Sequence, residues 1–599
     1  MNIEISIQEG LKNHQAGKLS SAEKTYHSIL EKEPENVQTL FLLGTLYGQS
    51  QQYAKSIETL SRVIHLNSAH EEAYKNLSYA YELNHQMDNA VTVLEKGINS
   101  IPDSKILHND LGDLYRKKNN TKLAIQQFRL ALSINENYES AIVNLAITYA
   151  TENDPEASEY FFRRALELNS MNPNTLSNYA ATLNLQEKFD QAIKQGKRAL
   201  EIDPNHSEAL NNVGYALLKK GEITNAENLF LKAIALNPTY IDALNNLGFL
   251  LHTKGQFNDA LKIYDKSVSL FPSNANSHFY RSFTNLLLGN FSIAWEDYEF
   301  GLLNNERGNI DIPLKKWAPK SDDQPLFVVA EQGVGDQIMF ASCLVDLQKS
   351  NTQIVLECDP RLTPLFSRSF PNITVIGKLK DYTSQTISLT DVKHYIPIGS
   401  LPAIFRTSTD SFSSTASIPY IKSSPDLIQK WKMRYRALSN ELTIGISWKA
   451  GINVDQKNRS TALADWLPLL KTKGVKFVNL QYGDVKDEID TVEKKYGIKV
   501  HEWSDSNSLK NIDDFSAKIA ALDLVISVGN TNVHIAGSQC VPAWCLIPQV
   551  PSWRWMDKGK QSIWYNSVKL YRQEQGVTWA SVIDNIARDL LELVNNECR

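Results

Sequence analysis

The chain repeats itself every 34 residues from its N-terminus to about residue 308, and then the repetition stops. Residues 209–240, ALNNVGYALLKKGEITNAENLFLKAIALNPTY, align with 243–274, ALNNLGFLLHTKGQFNDALKIYDKSVSLFPSN, so that Gly214, Ala226, Phe230 and Pro238 return as Gly248, Ala260, Tyr264 and Pro272. A repeat of this length holds a pair of short helices, and neither can bury its apolar face alone. Stacked copies bury that face against their neighbours and leave a long open surface for binding. Half of this chain therefore folds as an α-solenoid, and any chemistry belongs to the half that does not repeat.

Counting in steps of 34 gives nine units. Where the two helices of a unit must cross, the residues are Gly10, Gly44, Ser78, Gly112, Ala146, Ala180, Gly214, Gly248 and Ser282. Small side chains are needed there because a larger one would overpack the contact. The bulky partner on the second helix reads Tyr26, Leu60, Leu94, Phe128, Phe161, Gly196, Phe230, Tyr264 and Tyr298. On this count the fifth unit is one residue short before its bulky residue and makes it up afterwards. The sixth, with Gly196, is expected to pack loosely. The pattern resembles tetratricopeptide (TPR) repeats. Six further positions, Asn76, Asp110, Asn144, Asn178, Asn212 and Asn246, fall on the side of the first helix turned toward the inner groove. A column of carboxamides can donate to and accept from an extended peptide backbone of any sequence, which makes the groove a candidate site for a protein acceptor or partner. The competing reading is that asparagine is a consensus choice in such repeats.

The 599 residues leave room for a second unit about as large as the solenoid. A charged fraction of 22% and a hydrophobic fraction of 42% are ordinary for globular chains. The net charge of −5, without a long basic run, argues against general nucleic-acid or anionic-membrane binding. MNIEISIQEG lacks the basic-then-apolar layout of a signal peptide, and no apolar stretch is long enough to span a bilayer. The cysteines, Cys343, Cys358, Cys540, Cys545 and Cys598, form no CxxC pair. Reduced thiols and a cytoplasmic location are the expectation.

Three prolines break the helical pattern in NIDIPLKKWAPKSDDQP, which marks 309–325 as a linker. Beyond it come short β-branched runs: LFVVA (326–330), QIVLEC (353–358), ITVIG (373–377), LTIGISW (442–448), VKFVNLQ (475–481) and DLVISV (523–528). Helical patterns at 336–349, 425–439, 513–522 and 577–596 alternate with them. That alternation implies parallel α/β sheets. A less regular Ser/Thr-rich stretch at 378–424 divides the region into two Rossmann-like halves, 326–425 and 426–599, with a cleft between them.

Ligands of such sheets bind beyond the carboxyl ends of strands. Glu331-Gln332-Gly333-Val334-Gly335-Asp336 follows the first strand and opens a helix. Gly333 and Gly335 would let the backbone approach a ligand, and Asp336 would sit on the first helical turn, either as a functional carboxylate or as a helix cap. Val528-Gly529-Asn530-Thr531-Asn532-Val533-His534-Ile535-Ala536-Gly537 follows a later strand. It suits either a phosphate at a helix start or a capping run with a buried histidine. Lys449 and Arg459 lie on the intervening loop KAGINVDQKNRS as cationic candidates for a diphosphate. The acidic run 484–488 reads as a solvated helix start rather than a metal site. Trp553 and Trp555 flank Arg554 and either line a sugar pocket or, as is more usual for tryptophan, serve packing.

The second half resembles glycosyltransferases of the GT-B fold, specifically the bacterial heptosyltransferase-like group. The matching segments, in order, are EQGVGDQIMFASCL (331–344), ISWKAG with NRS (446–460), FVNLQYG (477–483), ALDLVISVGNTNVHIAGSQCVPAW (521–544) and PSWRWM…IWYNSVKLYRQ (551–573). A TPR array followed by such a domain is also the layout of protein O-linked N-acetylglucosamine transferases. The resemblance implies inverting transfer from a nucleotide-diphospho-sugar with no metal and no cofactor, and makes Asp336 the general base. It places the nucleotide-phosphate site at Asn530, Thr531 and His534 and its basic ligand at Arg459; Gly333, Gly335, Lys449, Gln481 and Gly537 are further candidate donor contacts. Gly529-Asn530-Thr531 stands where many members carry Asp-Thr or Ser-Asn-Thr. The expected function is sugar transfer to Ser or Thr hydroxyls of a protein guided by the TPR groove. A lipid-linked or polysaccharide acceptor, or an inactive scaffold, are the alternatives.

Overall fold

A computed structural model describes residues 3–308, 310–318, 325–350, 353–379, 392–451, 459–503, 505–506 and 510–597. Parts of the linker, of the Ser/Thr-rich stretch and of the Lys449–Arg459 loop, and Cys598, lie outside the described residues. Two compact units divide the chain, Met1–Ala243 and Leu244–Arg599.

From Ile3 to Tyr298 the described chain is a run of eighteen helices, paired as the 34-residue period requires. The period is written into the backbone as well as the side chains. The turn inside each pair places one residue at positive φ: Gly17, Gln51, His85, Asn119, Asn153, Glu187, Gly221, Gly255 and Gly289. Glycine and asparagine reach this conformation at little cost, whereas the other three accept some strain. Nine such turns at constant spacing also correct the count of the fifth unit. No residue is missing there, and the bulky residue is Phe162, which is fully buried and stacks on Tyr179 at 4.7 Å. Its neighbour Phe161 faces outward enough to stack on Tyr149 instead.

The small and bulky columns meet as expected. A Cβ on Gly10 would lie 2.5 Å from Tyr26, on Gly112 2.6 Å from Phe128, and on Gly248 2.5 Å from Tyr264. Gly196 is different. It has no bulky side chain of its own to offer, yet a Cβ there would lie 2.4 Å from Cγ2 of Val213, which belongs to the next repeat. The sixth unit is therefore tight rather than loose, because its neighbour fills the space.

Residues 244–599 begin with the last repeats and continue into two parallel sheets. The first contains β1 (Lys315–Lys316), β2 (Leu326–Val329), β3 (Ile354–Cys358), β4 (Thr374–Gly377) and β5 (His394–Pro397), in the order β1-β5-β2-β3-β4. The second contains β6 (Leu442–Ser447), β7 (Val475–Asn479), β8 (Val500–His501), β9 (Leu524–Val528), β10 (Ala543–Ile547) and β11 (Val568–Arg572), in the order β11-β10-β9-β6-β7-β8. The six expected strands are all present. Part of the expected linker is sheet, since Lys315–Lys316 pairs with β5.

Strand order locates the crevices. Chain direction across a sheet reverses between β2 and β5 in the first and between β6 and β9 in the second. Ligands of open α/β sheets favour these switch points. The first is filled from within the protein: the buried Arg307 guanidinium donates to Glu331 at 2.6 Å and to Ser400, and Gly399 N–H donates to the same carboxylate. The aromatic core beside it, Phe279, Trp295, Tyr298, Phe340 and Trp553, joins the last repeats to both sheets. No helix among the described residues is long and apolar enough to cross a membrane.

Candidate functional site

The two motifs read separately in the sequence pack against each other. Gly333 caps the helix Val334–Phe340, and Asp336 lies in its first turn without capping it. Gly335 makes the contact possible: a Cβ there would meet Thr531 Oγ1 at 3.2 Å and His534 Cδ2 at 3.3 Å on the helix Thr531–Ser538. This glycine lets the two helices pack closely. The turn is anchored to the last repeat, because Gln332 Nε2 donates to the Tyr298 hydroxyl at 2.7 Å. The Asp336 carboxylate is held by the Arg554 guanidinium, whose Nε and Nη2 both lie 2.6 Å from Oδ1. Both side chains keep about a fifth of their surface exposed (21% and 23%), so the pair sits at a wall rather than in the core.

His534 is deeper than the sequence reading required. Its side chain is buried, stacked on Trp555 at 5.2 Å, and bonded through Nδ1 to the Tyr565 hydroxyl at 3.0 Å. Burial pushes its pKa down to about 4, so the ring is neutral at pH 7. Gly529 and Gly537 exist for these rings: a Cβ on Gly529 would lie 2.7 Å from the Trp555 indole nitrogen, and on Gly537 2.4 Å from Tyr565.

Several other expected donor contacts are hydrogen-bond hubs of the second switch point. Asn530 Oδ1 accepts from Asn532 N–H and Ser527 Oγ, while its Nδ2 donates to Ser447 Oγ and the Lys449 carbonyl. Gln481 Oε1 accepts from the Ser447 hydroxyl and the Trp448 and Lys449 N–H groups. Lys449 pairs with Glu488, and that carboxylate also takes the Trp448 indole N–H. The acidic run is thereby tied to the strand ends, and the helix Lys486–Tyr496 starts within it. Arg459 donates to the Gly529 carbonyl at 3.1 Å and faces open space.

That space is a cavity of about 700 Å³ beyond the carboxyl ends of β10 and β11. Arg459, Arg554, Trp553 and Ser552 line it on the sheet side, and Phe249, Lys254, Tyr280 and Phe283 on the side of the last repeats. The loop carrying Trp553 and Arg554 is held firmly. Asp557 N–H donates to the Leu287 carbonyl, Arg572 donates to the carbonyls of Met556 and Trp555, and Met556 adopts a strained φ of 59°.

The groove residues are partly used within the solenoid. Asn76 Nδ2 donates to Thr45 Oγ1, Asn144 Nδ2 to Asn109 Oδ1, and Asn212 Nδ2 to the Ser177 carbonyl, each reaching the preceding repeat. Asp110 accepts from Asn109, and burial raises its pKa. Asn178 is exposed and Asn246 is half-buried. The sequence alone singles out neither Arg554 nor Tyr280. A signal for Tyr280 existed, since it lies 34 residues after Asn246 and ends the run of Asn and Asp.

Comparison with known proteins agrees with the repeats. Tetratricopeptide-repeat models match residues 37–70, 107–138, 196–228 and 229–262. The N-terminal region is a TPR solenoid. Among curated proteins, protein FlbA of Caulobacter vibrioides is 27% identical over 332 residues, 53% of this chain. That alignment spans only 55% of FlbA's own length. Among solved structures, yeast Tom70 is similar over 45% of this chain and 61% of its own at 17% identity, with a TM-score of 0.39. A tetratricopeptide repeat protein of Parabacteroides merdae is similar over 42% of this chain and 98% of its own at 18% identity, with a TM-score of 0.38.

Proposed function

We propose that the chain is a metal-independent, inverting glycosyltransferase with a GT-B arrangement of its two parallel sheets, acting on hydroxyl groups of protein acceptors that the TPR groove recruits. The observation that carries this reading is the Asp336–Arg554 pair, which joins the glycine-rich turn after β2 to a cationic cavity at the strand ends of the second sheet. Arg554 and Arg459 supply positive charge for a diphosphate, and a guanidinium fork suits phosphate oxygens. Fixed cations of this kind can stabilise a leaving diphosphate in place of a metal ion.

In the proposed reaction an acceptor hydroxyl oxygen attacks the anomeric carbon from the face opposite the diphosphate. The new carbon–oxygen bond forms as the bond to the diphosphate breaks, and that bond's electron pair leaves with the nucleoside diphosphate. The hydroxyl proton passes to the Asp336 carboxylate. His534 takes no part in proton transfer here; it braces the junction between the two helices.

The test is donor-dependent release of nucleoside diphosphate by the full chain, with candidate partner proteins coexpressed and weighed by mass spectrometry. Release together with a sugar-sized mass on Ser or Thr supports the reading. Release with transfer only to lipid-linked sugar moves the acceptor class, and no release with any nucleotide sugar favours a scaffold.

A further inference from the structure

The cavity wall formed by the last two repeats has no role in the reaction described so far, although it is built from rings. Phe249 and Tyr280 approach with centroids 6.5 Å apart, and Tyr280 lies equally far from Tyr264. Phe283 continues the wall, and all four line the cavity. Opposite them are Arg459 and Arg554, with Lys254 on the repeat side. No aspartate or glutamate is among the described residues lining the space. Aromatic faces on one side and cations on the other complement a ligand that carries a flat ring and an anionic group. The volume, about 700 Å³, suits a nucleotide-sized molecule.

Resting on the glycosyltransferase reading above, we propose that the eighth and ninth TPR repeats are part of the donor site. Phe249 and Tyr280 form a stacking platform for the nucleobase of a nucleoside diphosphate whose phosphates lie toward Arg459 and Arg554. The repeats then do more than recruit an acceptor: the first helices of these two, Ile241–Thr253 and Ala275–Leu288, set donor affinity. This also accounts for the break in the groove column, where Tyr280 occupies the position held by Asn246 one repeat earlier. A carboxamide suits a peptide backbone, and a ring suits a base.

The experiment is calorimetry on the full chain with ADP, GDP, UDP, CDP and inorganic pyrophosphate. At least one nucleotide should bind tenfold or more tightly than pyrophosphate. Tyr280→Ala and Phe249→Ala should each weaken that nucleotide about tenfold and leave pyrophosphate within twofold, whereas Arg554→Gln should weaken both. Tyr280→Phe, which keeps the ring, should bind as the wild type does and so guards against a folding defect. If a nucleotide binds but both alanine variants retain its affinity within twofold, the platform is refuted and the glycosyltransferase reading stands. If instead the alanine variants lose binding of an acceptor peptide and not of nucleotide, the cavity belongs to the acceptor and the platform is likewise refuted. If neither nucleotide nor pyrophosphate binds, the donor reading itself falls.

Discussion

Replacing Asp336 by asparagine tests the heart of the proposal. The substitution keeps size and shape, removes basicity, and leaves the Arg554 guanidinium facing an amide instead of a carboxylate. The ion pair is partly exposed on both sides, with 21% and 23% of the side-chain surfaces accessible, so its loss should cost no more than about 1 kcal/mol of stability. Removal of a general base costs about 10²–10⁴ in rate. The two effects differ enough to be separated. The asparagine is also no worse at the helix start, because Gly333, not Asp336, occupies the cap. Steady-state release of nucleoside diphosphate, thermal melting and calorimetric donor affinity should be measured on Asp336→Asn, Arg554→Gln and the double variant. The expected pattern is a turnover defect in the first with donor affinity within about threefold, and in the second a loss of donor affinity of about 1–3 kcal/mol, typical of a charged hydrogen bond. If Asp336→Asn keeps turnover within twofold, the carboxylate serves only to position Arg554 and the base lies elsewhere.

Four more expectations follow. His534 has a folded pKa near 4 against an ordinary 6.5, so the unfolded chain binds the extra proton between those values. Its contribution is fully present above pH 6.5 and is lost as pH falls toward 4, amounting to about 3 kcal/mol at the acid end; denaturant titrations of His534→Phe should show a shallower acid slope, and an unchanged slope would contradict the assignment. Glu187→Gly, at a turn with φ of 58°, should raise stability by about 0.5–1 kcal/mol by removing left-handed strain, read as a higher denaturant midpoint with no change in activity. Asn144→Ala and Asn212→Ala should each cost about 0.5–1.5 kcal/mol through lost inter-repeat hydrogen bonds. Exposed Asn178→Ala should leave stability unchanged and reduce only transfer to protein acceptors; equal loss of acceptor transfer and of donor hydrolysis to water would contradict groove guidance.

What the sequence determined by itself is everything periodic or local. Nine helix pairs, their small and bulky columns and the six strands β2, β3, β4, β6, β7 and β9 are legible because helix crossing and buried strands restrict residue type at each position. Even Phe162 was recoverable by counting 34 from Phe128. The glycine-rich turn and the run 528–537 stood out by composition as well, but their companions did not. β1, β5, β8, β10 and β11 complete the two sheets beside the strands named above. Tertiary structure alone decided which polar groups face inward. Asn530 and Gln481 look like ligand contacts in the sequence, yet their amides are consumed at the strand ends. Arg554, in contrast, lies 218 residues from Asp336 and meets it only once both sheets have formed. A side chain's chemistry is fixed by its type, but whether that chemistry is available is fixed by what the fold places within hydrogen-bond reach, and no local pattern carries that information.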